Sequence, residues 1–298
     1  MSQLNPRQRE AVRYIDGPLL VLAGAGSGKT SVITRKIAYL IEQAGIPGRH
    51  IAALTFTNKA AREMKERVSK LVDRRQARGL TVSTFHNLGM NIIREEVAHL
   101  GYHPGFSIFD AEDAKALLQD LMMREASADA GDELADIQMT ISAWKNAMRS
   151  PEEAYSKAAD EREQRIAIVY KRYREYLKAY NAVDFDDLIL LPVQLFRTVP
   201  EVLQKWRRKI RYMLVDEYQD TNLCQYELVK LLVAERAAFT VVGDDDQSIY
   251  AWRGARPENL VQLKDDFPSL KIVKLEQNYR STARILRCAN QVIANNPH

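Results

Sequence analysis

The chain has 298 residues, 46% of them apolar and 28% charged, with a net charge of +4. That balance belongs to a globular protein of one large or two average domains, and it excludes a disordered tail, a collagen-like rod and a coiled-coil rod. The longest apolar runs, near Leu19–Gly24 and Leu188–Phe196, fall far short of a membrane span, so no membrane partner is expected.

In chain order, Gly17–Ala23 is a short apolar run ending in glycines and reads as a buried strand. Ser31–Ala44 follows with Val32, Ile33, Ile37, Leu40 and Ile41 at helical spacing. Ile51–Phe56 reads as a strand, Asn58–Leu71 as a charged helix and Thr81–Thr84 as a short β-branched strand. Residues 85–205 are rich in Ala, Glu, Lys and Arg and poor in strand signals, so a helical insertion is expected there. Strand–helix alternation resumes with Tyr212–Val215, Leu223–Ala234, Phe239–Gly243 and Leu270–Leu275. Alternating strands and helices give a parallel sheet covered on both faces. The expected architecture is an α/β core, residues 1–84 plus 206–276, interrupted by the helical insert 85–205. Residues 277–298 read as the start of a further domain, and the chain as a fragment of a longer protein.

Charge is uneven along this framework. Lys59–Arg78 holds eight Lys/Arg against three Asp/Glu, Asp110–Asp136 nine acids against two bases, and Lys271–His298 five bases against one acid. A basic run is either a phosphate-facing stripe or a solvated helix face. Met1–Pro6 has no basic stretch leading into an apolar one, so no signal peptide is seen. The two cysteines, Cys224 and Cys288, make neither a disulfide framework nor a zinc site, and a reducing cytoplasm is the expected compartment.

Three motifs carry chemistry. Ala23-Gly24-Ala25-Gly26-Ser27-Gly28-Lys29-Thr30 sits between a strand and a helix, the context of a phosphate-binding loop. Its glycines let backbone N–H groups converge on phosphate oxygens, and the helix N-terminus adds positive potential. Lys29 is expected on the β- and γ-phosphates and the Thr30 hydroxyl on Mg²⁺. Tyr212–Asp220 is an apolar strand ending in adjacent acids. Beside a phosphate loop, Asp216 is expected to hold Mg²⁺ and Glu217 to act as general base toward water. Val241–Gly254 is another strand running into a polar loop, where Gln247 is placed to sense a γ-phosphate. Tyr250, Trp252 and Arg253 supply two aromatic faces and a cation, a set suited to stacking on unpaired bases. Taken singly, Trp252 and Arg253 read equally well as a core Trp and a surface Arg.

These motifs, with Leu4–Gln8, Thr55–Ala61, Ser83–His86 and Gln277–Ser281, occur in the order and form of one family. The chain resembles the N-terminal part of superfamily 1 DNA helicases of the Rep/UvrD/PcrA group, over essentially its whole length. The resemblance implies a RecA-like P-loop NTPase core, ATP with Mg²⁺ as cofactors, and 3′→5′ translocation on single-stranded DNA with duplex separation. It implies that Gln8 reads the adenine edge, that Tyr279 stacks on the adenine and that Arg280 reaches the γ-phosphate. It places Phe56, Asn58, His86, Tyr250, Trp252 and Arg253 on the single-strand path. Read alone, Phe56 is a core residue, Asn58 a helix cap, His86 a satisfied histidine and Tyr279 a packing residue. Ser31 stands where this group commonly has an arginine.

The implied partners are single-stranded DNA, DNA forks and proteins of replication or repair, with the protein a monomer or a DNA-induced dimer. Because the family's later motifs do not occur in the chain, weak nucleotide and strand binding and little or no DNA-stimulated turnover are expected of it alone. Two other readings compete: a non-catalytic module that binds ATP and single strands, and a small-molecule kinase. Glu217 argues against the first, and the Tyr250/Trp252/Arg253 cluster against the second. In the insert, Trp144-Lys145 reads as a packed Trp with a surface Lys, and Asp184–Asp187 as a helix start.

Overall fold

The computed structural model describes residues 4–24, 26–125, 131–244 and 258–275. Its centre is a six-stranded parallel sheet, β1 (Leu19–Ala23), β2 (Ile51–Thr55), β3 (Thr81–Thr84), β6 (Tyr212–Val215), β7 (Phe239–Gly243) and β8 (Lys271–Leu275), in the order β3-β2-β6-β7-β1-β8. All six expected strands are present and every pairing is parallel. The sheet carries a core on each face because successive strand residues point to opposite sides. Leu20, Leu54, Met213, Val215, Phe239 and Val241 enter one core, whereas Leu19, Val21, Ala53, Leu214, Val242 and Val273 enter the other.

The second of these faces is covered by α1 (Pro6–Arg13), α2 (Lys29–Glu42) and α3 (Asn58–Ser69). Helix α1, which the periodicity did not single out, is opened by Pro6 and a reciprocal cap between Asn5 and Gln8. Its far end is closed from α2. The Lys36 ammonium, wholly buried, donates to the Ala11 carbonyl at 2.8 Å and to the Tyr14 carbonyl. Burial without a carboxylate partner pushes this lysine down to about 7.

The first face is covered by α4 (Phe85–Glu95), α10 (Asp187–Thr198), α11 (Pro200–Lys209), α12 (Leu223–Val233) and α13 (Glu258–Asp266). Apolar residues of α4, α10 and α11, including Leu88, Ile92, Val193, Phe196 and Trp206, join the sheet's own core. Helices α4 and α10 cross so closely that a Cβ on Gly89 would stand 1.7 Å from the Leu188 carbonyl oxygen. Gly89→Ala should therefore destabilise the fold by about 1–3 kcal/mol even though Ala is the better helix former. A melting temperature equal to or above that of the parent would show that the two helices separate freely.

Between α4 and α10 the chain builds a further, separate core from α6 (Ala111–Glu125), α7 (Gly131–Asn146), α8 (Pro151–Ser156) and α9 (Glu161–Ala179), preceded by the single turn α5 (Val97–Leu100). Trp144 packs there on Tyr170, ring centroids 6.1 Å apart. Two three-residue strands, β4 (Ser107–Phe109) and β5 (Ala182–Asp184), pair in parallel at its base. Lys145 is not the surface residue expected. It is 2% exposed and reaches Asp184 at 2.8 Å and Asp187 at 2.9 Å. The acids read as a helix start are thus also the partners of a buried cation, because α10 begins inside the packed base of the insert.

Candidate nucleotide site and cleft

The phosphate loop leaves β1 at Ala23 and enters α2 at Lys29. Gly28 takes φ +81°, and a Cβ there would meet the Gln8 side-chain nitrogen at 2.5 Å. Only glycine satisfies both the left-handed backbone and that close approach. Ser27 fastens the turn, its N–H and its hydroxyl both donating to the Gly24 carbonyl at 3.2 and 2.7 Å. Gln8 is buried, accepts from the Asn5 N–H at 2.9 Å and donates to the Ser27 carbonyl at 3.1 Å. One N–H and one lone pair of its amide remain, the pair of functions an adenine edge requires.

The acidic motif faces this loop across the sheet. Lys29 Nζ lies 2.8 Å from Glu217 Oε1, so the two residues assigned to opposite ends of the chemistry form an ion pair. Glu217 adopts φ +50°, a left-handed conformation that costs about 1 kcal/mol for a residue with a Cβ. Its second oxygen accepts from Gln219 Nε2 at 2.7 Å, and Gln219 Oε1 accepts the Asp244 N–H at 2.9 Å. Gln219 is fully buried and bridges the ends of β6 and β7. The sequence reading gave it no role, although it lies inside the Val215–Asp220 motif that drew attention.

Asp216 is 8% exposed, and its carboxylate accepts the Glu217 N–H at 2.8 Å. Burial, reinforced by the charge of Glu217 and opposed by Lys29, pushes it from 3.8 up to about 6. A buried carboxylate beside another and short of positive charge fits a divalent cation. Thr30, in the first turn of α2, and Asp216 would supply protein oxygens, leaving phosphate and water to complete the shell. Among the described residues no group of three or more His, Cys, Asp or Glu forms a metal cage. Because Asp216 has a raised pKa when folded, its contribution to stability is complete below about pH 4 and is lost as the pH rises through 6. Asp216→Asn should then stabilise the unliganded protein by about 1–3 kcal/mol at pH 7.5, with no gain at pH 4. Thermal melts at the two pH values check this, and an equal gain at both would remove the burial penalty from the explanation.

A cleft of about 1440 Å³ opens beside the ends of β2 and β3, between the sheet and the insert. Phe56, Asn58 and His86 all line it. Phe56 is half-buried against Phe85, with centroids 5.4 Å apart, and His86 meets the edge of Phe185 at 6.3 Å. Asn58 is not the helix cap. Thr57 caps α3 by accepting the Ala60 N–H, whereas Asn58 accepts from the Asn87 side chain at 3.2 Å. The far wall adds Phe185 and Met139, 48% and 67% exposed, which sequence reasoning missed. The only hint of Phe185 was its position among three acids. Asp186, on the same wall, is pushed up to about 7 by burial and by Asp184.

Gln8, Ala23, Gly24, Gly26, Ser27, Gly28, Lys29, Thr30, Asp216 and Glu217 are thus collected at one end of the sheet. Ala25, Gln247, Tyr250, Trp252, Arg253, Tyr279 and Arg280, expected in the site or on the strand path, lie outside the described residues. Among those described, no helix is long and apolar enough to cross a membrane. Cys224 is buried, and burial pushes its thiol up to about 12.

A phosphate loop opposed by two acids on a parallel sheet, beside a cleft walled by a helical insert, defines a P-loop nucleotide-binding protein. The match to a known family is specific: residues 4–268 fit the UvrD/REP helicase N-terminal domain, and the chain belongs to that family. It is 60% identical over 99% of its length to the ATP-dependent DNA helicase Rep of Escherichia coli, of which it covers 44%. It is 47% identical to the Rep of Buchnera aphidicola subsp. Schizaphis graminum, covering 45%, and 46% identical to the ATP-dependent DNA helicase PcrA of Staphylococcus aureus, covering 40%. The chain therefore spans less than half the length of these relatives.

Proposed function

We propose that this chain is the nucleotide-binding half of an ATP-driven, 3′→5′ DNA helicase that tracks along single-stranded DNA. The observation that carries the reading is the Lys29–Glu217 ion pair at 2.8 Å, formed across the sheet edge beside the buried Asp216. Lys29 is held ready for a phosphate by a residue that itself gains a task once Lys29 leaves. On ATP binding Lys29 exchanges Glu217 for the β- and γ-phosphates. Glu217, still oriented by Gln219, is then free to accept a proton from a water in line with the γ-phosphorus. Mg²⁺ held by Thr30 and Asp216 would neutralise charge on the phosphate oxygens. Gln8 reads the adenine with the functions its cap leaves over. Gln247, Tyr279 and Arg280 complete the site, Gln247 sensing the γ-phosphate, Tyr279 stacking on the base and Arg280 approaching the phosphate from a second domain.

The cleft takes single-stranded DNA. Phe56, His86 and Phe185 offer ring surfaces to bases, and Asn58 a side-chain amide, with Tyr250, Trp252 and Arg253 extending the path. For the domains, the burial of α4, α10 and α11 against the sheet favours a core that includes them. The insert proper is then residues 97–186, narrower than 85–205, with 277–298 beginning the next domain.

A half-motor binds nucleotide without normal turnover, because closure around ATP requires two domains. The test is binding of labelled ATP alongside steady-state hydrolysis, with and without a single-stranded oligonucleotide. Binding with background hydrolysis is expected. DNA-stimulated turnover that Glu217→Gln abolishes would show that this chain already completes the machine, and a failure to bind ATP would remove the nucleotide reading.

A further inference from the structure

At the opposite end of the sheet from the phosphate loop lies a second cavity, of about 560 Å³, between the loop before β2 and the loop before β3. Its charged lining is Arg49, Arg75 and Arg78, with no acid among the lining residues. All three arginines are exposed, and none forms an ion pair among the described residues. The nearby Asp73 carboxylate accepts the Arg75 backbone N–H at 3.3 Å, not a guanidinium. Guanidinium groups without carboxylate partners repel one another, and a polyanion relieves that cost.

Helix α3 joins this cup to the cleft. It begins at Asn58, which lines the cleft, and runs about 18 Å to Ser69, from which a short loop reaches Arg75. Ala61, Met64 and Val68 bury one face. Asn58, Arg62, Lys65 and Ser69 follow one another at helical spacing along the exposed side, where Glu66 neighbours Arg62 and Ser69 and Glu63 neighbours Lys59 and Arg67, so that five exposed bases (Lys59, Arg62, Lys65, Arg67, Lys70) stand against two acids. From cleft to cup the exposed side therefore carries a net positive charge, five bases against two acids over Asn58–Lys70.

We propose that the α3 stripe and the Arg49/Arg75/Arg78 cup form an extension of the strand path that holds the phosphates of single-stranded DNA beyond the cleft. This rests on the reading of the cleft as the single-strand site. The cup adds affinity without sequence preference, because it meets the backbone and leaves the bases free. Each phosphate contact on a single strand contributes about 0.7 to the slope of log K against log salt.

The test is fluorescence anisotropy of labelled oligothymidylates on this chain and on R49A/R75A/R78A, across a salt series. One probe of about 8 nucleotides is confined to the cleft, and one of about 24 reaches the cup. The parent should bind the long probe at least tenfold more tightly than the short one. The triple variant should lose that advantage, with a salt slope for the long probe lower by about 2 and short-probe affinity unchanged. R49K/R75K/R78K, which keeps the charge, should keep most of the slope, and matching melts show that the fold is intact. Long-probe binding indifferent to the three arginines overturns the proposal, as does equal weakening of both probes. Cup-dependent binding of poly-glutamate, with long-probe binding unaffected, would assign the cup to an acidic protein. Failure of both probes to bind the parent would instead bring down the cleft reading on which the track depends.

Discussion

Glu217→Gln should leave ATP binding intact or tighter while slowing hydrolysis about 10²–10⁴-fold in a chain that turns ATP over. The two effects separate because Glu217 has two jobs in the geometry. In the nucleotide-free state it neutralises Lys29 at 2.8 Å, so an incoming phosphate must displace it. A glutamine keeps the shape, gives up the charge and releases Lys29. It also removes the neighbouring charge that helps push Asp216 up to about 6, which eases ionisation of the carboxylate assigned to the metal. The base function proposed for Glu217, by contrast, is lost outright. Titration with a fluorescent ATP analogue and single-turnover hydrolysis measure the two quantities independently. If affinity falls in step with the rate, Glu217 does not compete for Lys29, and the ion pair has no part in the binding cycle.

Lys145→Met should destabilise the fold by about 3–5 kcal/mol, because it strands carboxylates that the lysine now compensates. Burial works against the Lys145 charge, yet Asp184 and Asp187 hold its pKa well above the ordinary range. Tyr173 donates to Asp184 at 2.7 Å, and the Asp184 and Asp187 side chains each accept the other's backbone N–H, at 2.9 and 3.1 Å. Asp187 is already pushed up to about 6, by burial and by the charge of Asp184, and Asp186 to about 7. Without the cation these acids shift further upward. The loss should then be greatest above pH 7 and shrink toward pH 5, where protonation discharges the cluster. Urea melts at pH 5 and pH 8 test the sign. A penalty that is equal at both, or larger at pH 5, would mean that packing of the lysine stem outweighs its charge.

The sheet was legible because its strands are short apolar or β-branched runs alternating with helical patterns, and its helices carry wide apolar stripes. Val32, Ile33, Ile37 and Leu40 mark α2 from spacing alone. The phosphate loop and Asp216–Glu217 were legible for a different reason, since phosphate chemistry restricts which residues can serve and in what order. Helix α1 was not, since its eight residues bury only Gln8, Ala11 and Val12 and owe their helix to a cap. Strands β4 and β5 escaped because three residues cannot display a period. Lys145 defeated reading by residue type. A lysine beside a tryptophan is ordinarily solvated, and only the fold brings Asp184 and Asp187 to it from about forty positions away. Phe185 was hidden by the same locality, its ring turned into a cleft whose other wall lies some hundred residues earlier.

Gln219 makes Glu217 and the end of β7 one mechanical part. Its amide grips Glu217 with one end and the Asp244 N–H with the other, and it has no solvent-exposed surface through which to slip. The segment after Asp244 carries the aromatic and cationic residues assigned to bases. On the proposed reading, a displacement of the β7 end is felt at the Glu217 carboxylate, and a phosphate that reseats the carboxylate is felt at β7. Thermodynamic reciprocity makes the two effects equal in free energy, so in the proposed motor the amide would work as a clutch between fuel and load.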